Sequence, residues 1–391
     1  MKKVAVVTST RAEYGLLMPV IKALRSYEDE NLRVELIVSG THLSAEYGGT
    51  VSEIEADGIR IDITIPVSVS CRSAMDISGN QAEVLRCFTE LFEVKKYHAV
   101  LILGDRYESL AIAIAAGNTG TPVFHLCGGD TTEGAIDEWN RHSITKMSYI
   151  HFVTNETSRQ RVIQLGENPE RVFNYGSTSI DNIVRIADLS KEEALLSIGM
   201  SYCKYALCTY HPVTMENDGV DVRVREFLEA ICCFPEIEFI VTKSNADQGG
   251  SRINELLNCA ALKVKNLHVF ASLGVKRYLS LMRHAEFVLG NSSSGIIETP
   301  AFHKPTVNIG DRQRGRLQVK SIINCGEDKE SIRKAICVAM SEETREICGS
   351  TESPYGDGKA AERIAKKTLE VIRSGQIDLK KQFYDISFEV K

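Results

Sequence analysis

Short apolar, β-branched runs alternate along this chain with longer stretches of amphipathic, helix-period sequence, the pattern of parallel sheets wrapped by helices on both faces. The apolar runs predict strands at residues 3–8, 33–38, 98–103, 121–125, 149–153 and 171–175. A polar helical connection over 184–200 follows, and the alternation then restarts, with strands near 205–210, 237–242, 267–270, 286–289 and 305–308. The restart predicts an α/β protein of two Rossmann-like, doubly wound domains, spanning 1–182 and 183–365. An amphipathic helix over 359–377 could carry the C-terminal segment, 366–391, back to the first domain, and 378–391 reads as a loosely held tail. A length of 391 residues fits two cores better than one.

Composition narrows the class. Hydrophobic residues make up 43% and charged residues 25%, as in ordinary globular proteins. No apolar run approaches the ~20 residues of a membrane span, and Met1-Lys2-Lys3 leads directly into strand-like Val4-Ala5-Val6-Val7, too short a segment for a signal peptide. The expectation is a cytoplasmic protein with no membrane partner. A net charge of −6 excludes a broad nucleic-acid surface, which needs a basic face. The eleven cysteines show neither a CxxC pair nor metal-like Cys/His spacing, so reduced thiols and no metal are expected.

In open parallel sheets ligands bind beyond the carboxyl ends of the strands, and the polar motifs of this chain fall there. After Phe287-Val288-Leu289 comes Gly290-Asn291-Ser292-Ser293-Ser294-Gly295, followed by Glu298. Glycines allow a tight turn, serines offer hydroxyls and amide N–H groups, and a helix beginning there points its positive end at an anion such as a diphosphate. Glu298, one turn on, suits sugar hydroxyls; the plainer alternative is a serine-rich helix cap. After the first strand, Thr8-Ser9-Thr10-Arg11-Ala12-Glu13-Tyr14-Gly15 adds an arginine fork suited to phosphate or a base carbonyl, or else a cap with a surface arginine.

Three further loops carry titratable groups. Gly104-Asp105-Arg106-Tyr107-Glu108 offers Asp105 as a working carboxylate or a helix cap. His125-Leu126-Cys127-Gly128-Gly129-Asp130-Thr131-Thr132-Glu133-Gly134 with Asp137-Glu138-Trp139-Asn140-Arg141-His142 crowds four carboxylates, two histidines and an arginine into 18 residues. Such crowding in a cleft perturbs proton affinities, although ordinary helix-surface pairs account for Asp137, Glu138 and Arg141. Tyr210-His211-Pro212-Val213-Thr214 places a histidine where it can donate to phosphate or exchange a proton, and Gly310-Asp311-Arg312-Gln313-Arg314-Gly315-Arg316 supplies three arginines, one expected to meet an anion.

In order and spacing, the Gly104-Asp105-Arg106, Gly128-Gly129-Asp130, Asp137-Glu138, Arg141-His142, Tyr210-His211-Pro212-Val213-Thr214 and Gly290 to Gly295 motifs resemble the hydrolysing UDP-N-acetylglucosamine 2-epimerases of sialic acid biosynthesis. The resemblance covers nearly the whole chain. It implies a GT-B architecture with an interdomain cleft, no metal or nicotinamide cofactor, a homodimer or homotetramer, and conversion of UDP-GlcNAc and water to N-acetylmannosamine and UDP. It further implies catalytic roles among Asp105, Asp130, Asp137, Glu138 and His211. Arg11, Arg106, Arg141, His142, Asn291, Ser292, Ser293, Ser294, Gly295, Glu298 and Arg312 become substrate-binding positions. One position departs from the pattern: some relatives carry glutamate where this chain has Cys127, a poor base near neutral pH. Asp130 or Glu133 could supply the missing carboxylate. The same motifs also resemble enzymes acting on UDP-N,N′-diacetylbacillosamine. A GT-B glycosyltransferase and a nucleotide-sugar binding protein without turnover are the alternatives of other classes.

Overall fold

The computed structural model describes residues 1–391 apart from 72, 134–135, 187, 213–218, 245–248 and 388–391. Val213 and Thr214 of the histidine motif and Gly134 of the acidic loop lie outside the described residues. The first sheet contains β1 (Lys2–Thr8), β2 (Leu32–Ser39), β3 (Ile63–Ile65), β4 (Ala99–Leu103), β5 (Val123–Leu126), β6 (Ile150–Val153) and β7 (Val172–Asn174). Their order is β3-β2-β1-β4-β5-β6-β7, with every pairing parallel. The second contains β8 (Tyr205–Thr209), β9 (Glu238–Thr242), β10 (Leu267–Phe270), β11 (Phe287–Gly290), β12 (Thr306–Ile309) and β13 (Ile322–Cys325) in the order β10-β9-β8-β11-β12-β13, again parallel. Strands β3 and β13 escaped the sequence reading; each is an edge strand of three or four residues with little alternation to mark it.

Both sheets reverse their winding direction once. In the first, β1 lies between β2 and β4; in the second, β8 lies between β9 and β11. Loops following the strands on either side of such a reversal diverge and leave a crevice, the usual ligand position in doubly wound sheets. Four of the motifs occupy those loops: Thr8 to Arg11 after β1, Gly104 to Arg106 after β4, Tyr210-His211 after β8, and Gly290 to Ser294 after β11.

The strands read as continuous apolar runs because both sheet faces are covered. Val4, Val6, Val100 and Leu101 are fully buried, as are Leu207, Phe239, Phe287 and Leu289 in the second sheet. Helix Ala74–Lys95, capped by Ser73 and Asp76, turns Val84, Phe88 and Phe92 inward against the first sheet. Each such side chain contributes about 1.5–3 kcal/mol of burial.

The chain forms two compact units. One comprises Met1–Asp130, Asp137–Asp181 and Tyr355–Lys391; the other comprises Thr131–Ile136 and Asn182–Pro354. The boundary drawn at residue 366 falls inside helix Ala360–Ser374, which belongs whole to the first unit. The Asp181 carboxylate accepts the Ala360 and Ala361 N–H groups at 3.1 and 3.0 Å, capping that helix, which packs against helix Arg11–Arg25. The tail also departs from its expected looseness. Lys381 donates to the carbonyls of Lys146 and Ser148 at 2.9 and 2.7 Å and pairs with buried Glu167 at 2.6 Å, while the Tyr384 N–H reaches the Gly166 carbonyl at 2.9 Å. The reason is long-range: Glu167 is 1% exposed and its negative charge needs cations that local sequence does not supply. No helix among the described residues is long and apolar enough to cross a membrane.

Candidate active site

In the first unit, the candidate residues converge on Arg141. Its side chain is 1% exposed and emerges from helix Asp137–Met147. Nε donates to Asp105 Oδ2 at 2.9 Å and a terminal nitrogen bonds the same oxygen. The other terminal nitrogen donates to the Asp130 carbonyl at 2.9 Å and to Glu138 Oε2 at 2.7 Å. Glu138 Oε1 meets His142 Nε2 at 3.1 Å. Burial opposes the charge on Arg141, yet Asp105, Asp130 and Glu138 outweigh it and raise its proton affinity above the ordinary arginine value. The result is a buried cation that orients two half-buried carboxylates by forked hydrogen bonds.

Sequence spacing accounts for Glu138, Arg141 and His142 as helix neighbours three and four residues apart. The bond to Asp105, 36 residues earlier, comes from the parallel pairing of β4 with β5. Asp105 does not cap the following helix; Arg106 holds the cap position of Tyr107–Asn118 and makes no side-chain cap bond. Asp130 is placed differently from the other acids. It is 7% exposed, and its Oδ1 accepts Thr154 Oγ1 at 2.8 Å and Ser158 Oγ at 2.6 Å. Asp137, half-buried, begins the helix. Arg11 likewise opens helix Arg11–Arg25. His125 lies beneath these loops, with Nε2 2.7 Å from the Gly104 carbonyl; burial lowers it to about 3, so it is a neutral support. Cys127 is half-buried at a positive φ of 66°, a conformation usually left to glycine or asparagine.

The second unit builds its cluster from amides. Asn291 Oδ1 accepts the His211 N–H at 2.7 Å and its Nδ2 donates to the His211 carbonyl at 2.8 Å, so one side chain closes both backbone groups of the β8 loop. The Asn291 carbonyl accepts Arg312 at 3.2 Å and Gln313 Nε2 at 2.9 Å. The approach is possible only with glycine before it: a Cβ on Gly290, at φ +138°, would lie 2.0 Å from the Thr209 carbonyl oxygen. His211 is buried, with Nδ1 3.1 Å from Ser244 Oγ.

The helix after the serine turn is short, Ser293–Ile297, with Ser292 as its cap and Gly295 packed beneath Thr306. Glu298 follows as its C-cap rather than a mid-helix residue. Burial pushes Glu298 up to about 7, opposed by its bond from the Ser294 hydroxyl. The remaining arginines turn to the segment Thr131–Ile136 of the same unit: Arg314 pairs with Glu133 at 3.5 Å and Arg316 donates to Thr132 at 3.3 Å. Among the described residues, no group of three or more His, Cys, Asp and Glu side chains could hold a metal ion.

A family model described as UDP-N-acetylglucosamine 2-epimerase matches residues 24–369. The chain belongs to the UDP-N-acetylglucosamine 2-epimerase family. It is 35% identical to polysialic acid biosynthesis protein P7 of Escherichia coli over 99% of this chain and 98% of that one. It is 39% identical to the GDP/UDP-N,N′-diacetylbacillosamine 2-epimerase (hydrolyzing) of Campylobacter jejuni over 83% of this chain and 84% of that one. Among solved structures, the UDP-GlcNAc 2-epimerase of Neisseria meningitidis, bound to UDP-GlcNAc, superimposes with a TM-score of 0.80 at 21% identity, covering 94% of this chain and 100% of that one. The fold of this 2-epimerase family member is of the GT-B type.

Sequence reading passed over several residues that the 2-epimerase structure brings to these loops. Ser244, from outside the motifs, holds His211, and Gln313, an uncharged position inside the arginine loop, holds Asn291. Tyr278 stands beside Glu298, and its hydroxyl is pushed up to about 12 by burial and then by that acid. Glu13 and Glu108 are buried behind the β1 and β4 loops. Only Glu13 left a local signal, since Thr10-x-x-Glu13 is the spacing of a capping box, which the structure contains.

Proposed function

We propose that this protein is a hydrolysing 2-epimerase that converts UDP-N-acetylglucosamine and water to N-acetylmannosamine and UDP on the route to sialic acid. Family membership and a polysialic acid relative matched over 99% of the chain support this reading. The structural observation that carries it is the Arg141 fork, because removing the poorly acidic proton at C2 of an acetamido sugar requires a carboxylate held in a fixed direction. Asp105, with Glu138 or Asp137, is assigned proton transfer at the sugar; Asp130, tied by Thr154 and Ser158, holds the loop and is the less suited base. As the C2–H bond breaks, its electrons form the C1–C2 double bond and the C1–O bond releases UDP. His211 supplies a proton to the leaving diphosphate. Water then adds hydroxyl at C1 and a proton at C2 from the opposite face, inverting that carbon. Arg11, Ser292, Ser293 and Arg312 are assigned to phosphate or uracil, and Glu298 to the ribose.

A second reading, UDP-N,N′-diacetylbacillosamine as the substrate, is favoured by the name of the 39% identical relative. Incubating each UDP-sugar with the protein in deuterium oxide, and following the products by proton NMR, tests both. Free N-acetylmannosamine deuterated at C2, formed with EDTA present, is the expected product. An unlabelled C2 would exclude elimination, and transfer of the sugar to an acceptor would make the protein a glycosyltransferase. Asp105→Asn should retain UDP binding and lose at least about 10²-fold in turnover; binding without turnover in wild type as well would leave a nucleotide-sugar binding protein.

A further inference from the structure

The helix that carries Glu138, Arg141 and His142 ends at Met147, and the far end of the chain closes it. A helix leaves its last carbonyls without partners of its own. Ser148 satisfies two of them, its Oγ donating to the Ile144 carbonyl at 2.7 Å and its N–H to the Thr145 carbonyl at 3.1 Å. The Lys146 carbonyl accepts Lys381 Nζ at 2.9 Å. The same ammonium reaches the Ser148 carbonyl at 2.7 Å and Glu167 Oε2 at 2.6 Å. An ammonium has three N–H donors, and here each has an acceptor. A cation at this end of a helix also meets the negative pole of its dipole.

Glu167 anchors this arrangement. Its Oε2 also meets His151 Nε2 at 3.0 Å, and its Oε1 accepts Lys146 Nζ, from the last turn of the helix, at 2.7 Å. Burial raises the Glu167 carboxyl, but the bonds from His151, Lys146 and Lys381 outweigh it and hold it at about 2, so it stays charged. One ring and one backbone bond fix the segment around Lys381. The Phe383 ring lies against Gly166, whose missing Cβ leaves room for it, and its centroid is 4.8 Å from Lys146 Nζ. The Tyr384 N–H donates to the Gly166 carbonyl at 2.9 Å. Residues 381–384 therefore grip the helix end and the turn at 165–167 together. Arg141 stands little more than one turn before Lys146, about 7.5 Å along the axis. Thr145 Oγ1 donates to the Arg141 carbonyl at 3.0 Å, so a shift of the helix end passes to the guanidinium that orients Asp105 and Glu138.

Resting on the function proposed above, we propose that Lys381 is a positioning residue for 2-epimerisation: segment 381–384 is a strap that caps the helix bearing Glu138, Arg141 and His142 and sets the direction of the Arg141 fork. Without Lys381 the Lys146 and Ser148 carbonyls lose a donor, the last turn frays, and the fork drifts from Asp105. A displacement of about 1 Å at a reacting group costs up to about 10²-fold in rate. Loosening this helix therefore costs turnover rather than nucleotide binding.

Hydrogen exchange followed by mass spectrometry reads the strap without substrate. In the full chain, Lys381→Met should speed exchange across Asp137–Met147 by about tenfold or more and leave Ala74–Lys95 at the wild-type rate. Lys381→Arg, which keeps a cation with several donors, should restore most of the protection. Equal exchange in wild type and Lys381→Met overturns the strap, whatever the enzyme turns over. A rise shared equally by both helices, as from a general loss of stability, overturns it too. Faster exchange confined to Asp137–Met147, with no wild-type turnover of either UDP-sugar, leaves the strap standing and overturns its link to 2-epimerisation. On the substrate that is turned over, kcat of Lys381→Met should fall about tenfold. KM and the Kd for UDP should stay within about twofold of wild type, because the residues assigned to UDP lie outside this helix. An unchanged kcat per folded molecule overturns the positioning role, as does a Lys381→Arg variant no faster than Lys381→Met. Phe383→Ala keeps the test open should Lys381→Met not fold, since that ring is 63% exposed. Its loss should speed exchange at Asp137–Met147 in the same direction, and wild-type exchange there overturns the strap.

Discussion

The two units hold their candidate residues by different physical means. In the first, one buried guanidinium gathers Asp105 and Glu138 through charge-assisted bonds and donates to the Asp130 carbonyl as well. In the second, one neutral amide, Asn291, closes both backbone groups of His211, and the acid nearby is a half-buried Glu298 whose proton affinity burial has raised. The charged cluster is strong and intolerant: removing its cation leaves carboxylates facing each other in a partly dry site. The amide cluster is weaker, but it directs N–H groups and a serine turn, with the Arg312 guanidinium bonded to a neutral carbonyl, which suits a surface that must accept a ligand's own charge.

Substitutions that remove each centre measure this contrast. Arg141→Ala should have the largest effect, about 3–5 kcal/mol of lost stability in chemical unfolding together with loss of turnover; a change under about 1 kcal/mol would reduce the charged cluster to surface pairing. Asn291→Ala should cost about 1–3 kcal/mol, since the His211 N–H and carbonyl lose their partner, and UDP affinity measured by calorimetry should fall with it. An unchanged affinity would detach the amide cluster from the ligand. The smallest effect concerns pH. Glu298 is raised from the usual 4.5 to about 7, so its contribution to stability is full below about pH 4.5 and is lost as pH rises through 7. Glu298→Gln should therefore gain about 1–2 kcal/mol over wild type at pH 8 relative to pH 5, read from melting temperatures across that range. A constant difference would place the Glu298 carboxylate in water.

Much of the fold was legible because parallel strands buried on two faces announce themselves as apolar runs, and polar motifs at their ends mark where ligands meet such sheets. Strands β3 and β13 were not, being too short to show a period. The Glu138, Arg141 and His142 set could be read from helix spacing, whereas the Asp105 bond needed the sheet to bring residues 36 apart together. Gly290 was legible as a turn residue, but the reason for it, a backbone carbonyl against its α-carbon, is tertiary. The tie from Lys381 to Glu167 left no local trace, since its two partners lie far apart in the chain.

The return of Tyr355–Lys391 to the first unit sets an order of events on the ribosome. Nearly all of the second unit, Asn182–Pro354, is synthesised before the helix that covers Arg11–Arg25 exists. Until then Asp181 has no Ala360 or Ala361 amide to receive, and the N-terminal sheet waits on residues 355–391 to finish its wall. Stopping translation after Pro354 should thus strand an N-terminal half that chaperones retain, although all seven of its strands were made first.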